Sequence, residues 1–231
     1  MFMLEIKKLF SIAALLFVLS CISANTFDRV YYEHINCTIV LVLFGAFLFY
    51  KGYKNRSLLL IFITNVLMTF SSAYYDIALF EVLTIILKLL SAFLLLIYIF
   101  PKQKNIKTSS VDVFTYLYLI IINGYLIYCL ITMVSPYIDV SYLDNIFYFY
   151  ALVLVCLGMA AFRYFLKGNF GSKSFSILVT FFVLSDIVGM LAYYLRVYSL
   201  FYAERLFYIL ALTYLIIHTI KVLRPTLILK K

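Results

Sequence analysis

The 231-residue chain has no tryptophan, three prolines, seven glycines and only ten acidic residues. So little proline and glycine excludes a collagen-like or Pro/Gly-rich disordered chain, and no glycine-rich phosphate loop is present. Charged residues make up 13% of the chain and hydrophobic residues 66%, against roughly a quarter and a half in soluble domains. That shortage of charge excludes an ordinary soluble domain. The four cysteines, Cys21, Cys37, Cys129 and Cys156, show neither CxxC nor Cys/His spacing, so they read as small packing residues rather than a metal site or disulfide framework. His34 stands beside Glu33 without the further ligands a metal needs. No Ser/His/Asp arrangement and no pair of haem ligands at matching depth occurs, and neither metal nor cofactor is expected.

What is abundant is long apolar sequence. Eight runs, at about 9–25, 34–50, 57–75, 79–100, 111–134, 142–165, 174–195 and 200–222, are each of the order of the ~20 residues that cross a ~30 Å hydrocarbon core as a helix. Short polar stretches such as "KGYKNR", "FPKQKNIKTSS" and "LKGNFGSK" separate them. The expected fold is therefore all-α: a single polytopic membrane bundle of about eight helices spanning residues 1–231, with the lipid bilayer as its principal partner.

The net charge of +9 has no soluble face on which to form a nucleic-acid patch, so nucleic acid is not an expected partner. The basic residues sort by loop instead. Lys7, Lys8, Lys51, Lys54, Arg56, Lys102, Lys104, Lys107, Arg163, Lys167, Lys173, Lys221, Arg224, Lys230 and Lys231 fall on one side. Only Arg29, Arg196 and Arg205 fall on the other, and Lys88 lies within a span. Fifteen against three places both termini in the cytoplasm by the positive-inside rule, in what we expect to be a bacterial cytoplasmic membrane. Asp28, Glu33, Asp76, Glu81, Asp139, Asp144 and Glu204 gather on the outer side. Asp76, Glu81, Glu204 and Arg205 are expected to be solvated or interfacial, and His218, near Lys221, to be wet. The opening "KKLFSIAALLFVLSCISAN" has the basic and apolar regions of a signal peptide, but no clean A-x-A site follows. We read it as a first membrane helix.

Two spans carry polar residues at depth. In "FFVLSDIVGMLAYY" (181–194) the carboxylate of Asp186 interrupts an apolar run, and Gly189 and Tyr193 share its helical face, with Ser185 alongside. In "FITNVLMTFSSAYY" the residues Asn65, Thr69 and Ser72 form a similar stripe edged by Thr64. Aligning Asn65 with Asp186 brings Thr64 onto Ser185 and Phe80 onto Phe201, the register that an internal 4+4 repeat gives.

"FFVLSD" (Phe181–Asp186) in the seventh span, together with "RLFYILALTYLIIHTI" (Arg205–Ile220) in the last, resembles the YhhN-like membrane proteins, which include the lysoplasmalogenases. Where that family carries an early aspartate this chain has Asn65, an amide that neither donates nor accepts a proton at neutral pH. The resemblance implies hydrolysis of the vinyl ether bond of a lysolipid. That chemistry needs a group to protonate the β carbon and another to hold and deprotonate water. Asp186 is the candidate acid or base and Asn65 the group that orients water. Ser185, Thr64, Gly189, Tyr193, Thr69 and Lys88 are the candidate substrate-binding residues. The other account of Asp186 is a structural ion pair with Lys88, since charges within spans face the bundle interior and find partners. A non-catalytic lipid- or solute-binding protein, or a small transporter, is the functional alternative.

Overall fold

A computed structural model describes residues 2–27, 29–103, 110–137, 143–166 and 170–223. Asp28, Lys104, Lys107, Asp139, Lys167, Arg224, Lys230 and Lys231, which entered the charge count, lie outside the described residues. The described residues form eight α-helices and no strand: α1 Phe2–Thr26, α2 Arg29–Phe49, α3 Arg56–Ser72, α4 Ala78–Ile99, α5 Ser110–Val134, α6 Leu143–Phe165, α7 Phe170–Tyr194 and α8 Ser199–Leu223. Seven are long and apolar enough to cross a membrane, and the chain is an integral membrane protein.

The exception is α3, at 17 residues, shorter than the span read from sequence. Its start is fixed by Asn55, whose side chain accepts the Leu58 N–H at 3.2 Å, an ordinary N-cap. Its end follows from "SSAYYD": Tyr74 and Tyr75 donate to the Ser71 and Ser72 carbonyls, tightening the chain into turns before the expected end. About 25 Å of helix falls short of the hydrocarbon thickness. The shortfall is tolerable because eight of its residues are buried by protein.

The centre of the bundle is α8. It is apolar on every side, the pattern of a helix enclosed all round, and Ala211, Leu212, Leu215, Ile216, Ile217 and Ile220 are each at most 2% exposed. α7 packs along it most extensively, with α1, α2 and α3 completing its surround. Leu9, Ala13 and Leu16 seat α1 in the core, and Ser20 of α1 donates to buried Asn36 of α2 at 2.9 Å. Asn36 belongs to the "NCT" sequon and is 2% exposed, so it is a packing residue rather than a glycosylation acceptor. Beneath the turn between α2 and α3, a Cβ on Gly52 would overlap the ring of Phe47; glycine is what lets the chain pass there.

In contrast α5 packs chiefly on α6 and the short 3-10 turn Ser135–Tyr137. Most of its side chains point out, Phe114, Tyr118, Ile121 and Tyr125 among them. Gly124 makes no close helix contact, because nothing lies within 4 Å of where its Cβ would be. The Asn123–Gly124 pair thus serves no tight packing. It faces a cavity.

Candidate intramembrane site

That cavity measures about 780 Å³, within the ~300–1,000 Å³ of small-molecule sites. Its long wall is apolar, from Leu126, Ile127 and Leu130 of α5 and Leu154, Gly158 and Phe162 of α6. Its other end is charged. Lys88 of α4, Asp186 of α7, Glu204 and Arg205 of α8 and Glu33 of α2 all reach it, with Tyr75, Tyr150, Tyr193 and Tyr194 between them.

Two linked charge groups make up that end. Lys88 Nζ lies 2.8 Å from Asp186 Oδ1, with the side chains 25% and 10% exposed. Tyr150 of α6 donates its hydroxyl to the other carboxylate oxygen, Oδ2. Both carboxyl oxygens of Asp186 are thus partnered, one by the amine and one by the phenol. The structural pair weighed from the sequence therefore exists, and it exists on the wall of a cavity.

The second group centres on Arg205, which is 9% exposed. Its guanidinium clamps Glu33, with Nη2 at 3.1 and 2.8 Å from the two oxygens. It also meets Glu204 Oε2 through Nε at 3.1 Å and stacks near the Tyr32 ring. Arg205 and Glu204 are thus interior residues and not the interfacial ones expected, because a partner 172 residues away encloses the guanidinium. α7 ties the groups together. Ser185 donates to the Glu204 backbone carbonyl at 3.3 Å and approaches Oε1 at 3.5 Å, and Glu204 Cγ lies 3.0 Å from where a Gly189 Cβ would be. Gly189 is glycine so that the Glu204 side chain can cross α7.

At the cavity rim Tyr194 donates to Glu81 at 2.7 Å, which makes Glu81 a partly buried acceptor instead of a solvated acid, whereas Asp76 is exposed. The rings of Tyr75 and Tyr193 pack edge to face at 4.5 Å.

Of the residues singled out in the sequence, Asp186, Lys88, Gly189 and Tyr193 line the cavity, and Ser185 supports it from behind. Of the α3 stripe, Ser72 lines it too, whereas Asn65, Thr69 and Thr64 do not. Asn65 is fully buried and donates to Ser91 Oγ at 2.7 Å and to the Ile61 carbonyl at 2.8 Å. Thr69 meets the Tyr208 hydroxyl at 3.0 Å, and Thr64 bonds back to the Leu60 carbonyl. α3 thus turns Asn65 toward α4 and Thr69 toward α8, and Asn65 approaches the site through Ser91. Ser91, Lys88, Asp186 and Tyr150 border a separate void of about 10 Å³, the size of a single water.

At the other end of the bundle His218 is fully buried, where the sequence suggested a wet residue. Tyr98 reaches its Nε2 at 2.9 Å, the Gly171 carbonyl lies 3.1 Å and Ser174 Oγ 3.3 Å from Nδ1, and Phe175 closes over the ring. These contacts staple α4, α7 and α8 together. His34 is exposed against the Tyr74 ring. Among the described residues no three His, Cys, Asp or Glu side chains converge as a metal site.

No protein-family model matches the chain, and no curated protein or solved structure matches it. Function must be argued from the site itself.

Proposed function

We propose that the protein takes a single-chain lipid into this cavity and hydrolyses a vinyl ether bond there, as the YhhN-like resemblance implies. The observation that carries the proposal is the position of Asp186: a carboxyl group, oriented by Lys88 and Tyr150, on the wall of a lipid-sized hollow within the bundle. The apolar wall suits a hydrocarbon chain and the charged end a polar headgroup, so the reacting bond between them falls beside Asp186. Paired with the Lys88 amine, Asp186 is the base that takes a proton from the attacking water. Asn65, behind Ser91, holds that part of the wall in place. The loop charges further support a cytoplasmic position for both termini. In both halves of the chain the third helix packs most closely on the fourth, which supports the 4+4 repeat.

Purified protein is expected to release a fatty aldehyde from 1-alkenyl-glycerophosphocholine, and Asp186→Asn to lose that release by a factor of about 10²–10⁴, the range of general acid–base catalysis. A wild type that releases no aldehyde sinks the hydrolase. A second function, lipid binding without turnover, is favoured by the partners Asp186 already has and by the amide at Asn65. Its signature is thermal stabilisation by lysolipid with no product formed.

A further inference from the structure

Vinyl ether hydrolysis needs two proton-handling groups, and Asn65 is neither a proton carrier nor part of the cavity wall. Resting on the hydrolase proposal above, we infer that Glu204 is the second catalytic carboxyl, the acid that protonates the substrate's β carbon.

Geometry comes first. Glu204 and Asp186 line the same cavity, and both lie against one turn of α7. Asp186 is part of that turn, and Ser185 and Gly189 on it hold the Glu204 side chain in place. Such an arrangement puts two carboxyl groups from different helices on the wall of one cavity, within reach of a lipid bound there.

Charge balance then separates their roles. The cluster contains three carboxyls, Glu33, Asp186 and Glu204, and two cations, Lys88 and Arg205. An uncompensated charge inside a membrane bundle is costly, and one proton on a carboxyl makes the cluster neutral. Asp186 has Lys88 in direct contact at 2.8 Å. Glu33 receives two hydrogen bonds from Arg205. Glu204 meets the same guanidinium only at Nε, at 3.1 Å, and its Oε2 makes no hydrogen bond of good geometry. The proton therefore resides on Glu204, the least compensated of the three.

Glu204 gives its proton to the β carbon, whose π electrons form the new C–H bond, leaving an oxocarbenium ion at the α carbon. Water adds to that carbon and loses a proton to Asp186, giving the hemiacetal. The Glu204 carboxylate then removes the hemiacetal hydroxyl proton while Asp186 returns its proton to the departing glycerol oxygen. The C–O bond breaks, aldehyde and glycerophospho-alcohol leave, and both carboxyls regain their starting states. Water is the only co-reactant.

The test uses the full-length detergent-purified protein and 1-alkenyl-glycerophosphocholine, following aldehyde against pH. Wild type is expected to lose rate on the alkaline side as the acid is neutralised. Glu204→Gln is expected to fall at least 10²-fold in kcat, to keep its thermal midpoint, and to lose the alkaline limb from any residual rate. Glu204→Asp is expected to restore activity partly, with that limb present. A Glu204→Gln enzyme within threefold of wild type, or one that is slow but retains the alkaline limb, overturns the assignment while leaving Asp186-dependent hydrolysis intact. A wild type that releases no aldehyde overturns both. Should Glu204→Gln fail to fold, Glu33→Gln decides. It relieves the surplus negative charge without touching Glu204, so the alkaline limb is expected to move to lower pH, and an unmoved limb counts against Glu204 as the acid.

Discussion

Replacing Lys88 with methionine is the sharpest probe of the charged end, because it keeps the length of the stem and removes only the ammonium. The lost contact is the 2.8 Å pair with Asp186. Removing one partner of a fully buried pair costs about 3–5 kcal/mol, whereas exposed pairs are worth about 0.2–1 kcal/mol. The Lys88 side chain keeps 25% of its surface, and Tyr150 continues to hydrogen-bond the carboxylate, so the loss belongs between those limits, at about 2–3 kcal/mol. For a chain of this size that corresponds to a fall of roughly 4–12 °C in Tm. Asp186→Leu strands the ammonium and is expected to fall by a similar amount. The double variant leaves no unpaired charge and is expected to melt within about 1 kcal/mol of wild type, since apolar replacement of a buried pair is often neutral. Thermal melts of all four proteins in one detergent give the coupling directly. Additive losses, or singles that melt like wild type, would refute the claim that the two charges compensate one another inside the bundle.

Other consequences follow from the same contacts. Arg205→Met leaves Glu33 and Glu204 facing each other without their shared cation, and is expected to be the most damaging single change at the site, by about 3–5 kcal/mol, read as Tm. His218→Phe removes the Tyr98 and Gly171 contacts far from the cavity. It is expected to lower stability by about 1–3 kcal/mol while leaving aldehyde release per folded molecule unchanged. Gly189→Leu drives a side chain into Glu204, whose Cγ lies 3.0 Å from the new Cβ. It is expected to cost about 1–3 kcal/mol from overpacking and to cut aldehyde release more than tenfold.

Much of the architecture was legible because apolar length is so direct a signal. The helices end within a few residues of the spans read from sequence, and most begin earlier, α1 and α2 by more than a turn, because residues such as Gly171 and Ser172 of α7 join the first turn. α3 ends early because its serines and tyrosines close turns that hydropathy does not register. Asp186 and Lys88 were visible as lone charges in apolar runs, and helical spacing put Gly189 and Tyr193 on the right face. Spacing within α3 could not say which neighbour its polar stripe meets. Asn65, Thr64 and Thr69 meet α4, α8 and their own backbone instead of the cavity. Glu81, Glu204 and Arg205 were misjudged because charged residues at helix starts are ordinarily solvated. The available hint was that Glu204 and Arg205 lie inside the first two turns of an apolar helix, but their partner comes from the other end of the chain. His218 was obscured in the same way: its burial depends on Tyr98 and Gly171, distant in sequence.

The central claim is that the hollow beside Asp186 holds one lipid chain, and Gly158 gives direct access to it. Gly158 lines the cavity, and nothing lies within 4 Å of where its Cβ would be, so Gly158→Phe adds a ring into open space and not into packed helices. Native mass spectrometry with 1-alkenyl-glycerophosphocholine is expected to show one bound lipid on the wild type and none on Gly158→Phe, with unchanged Tm. Equal lipid occupancy on both proteins would contradict the account.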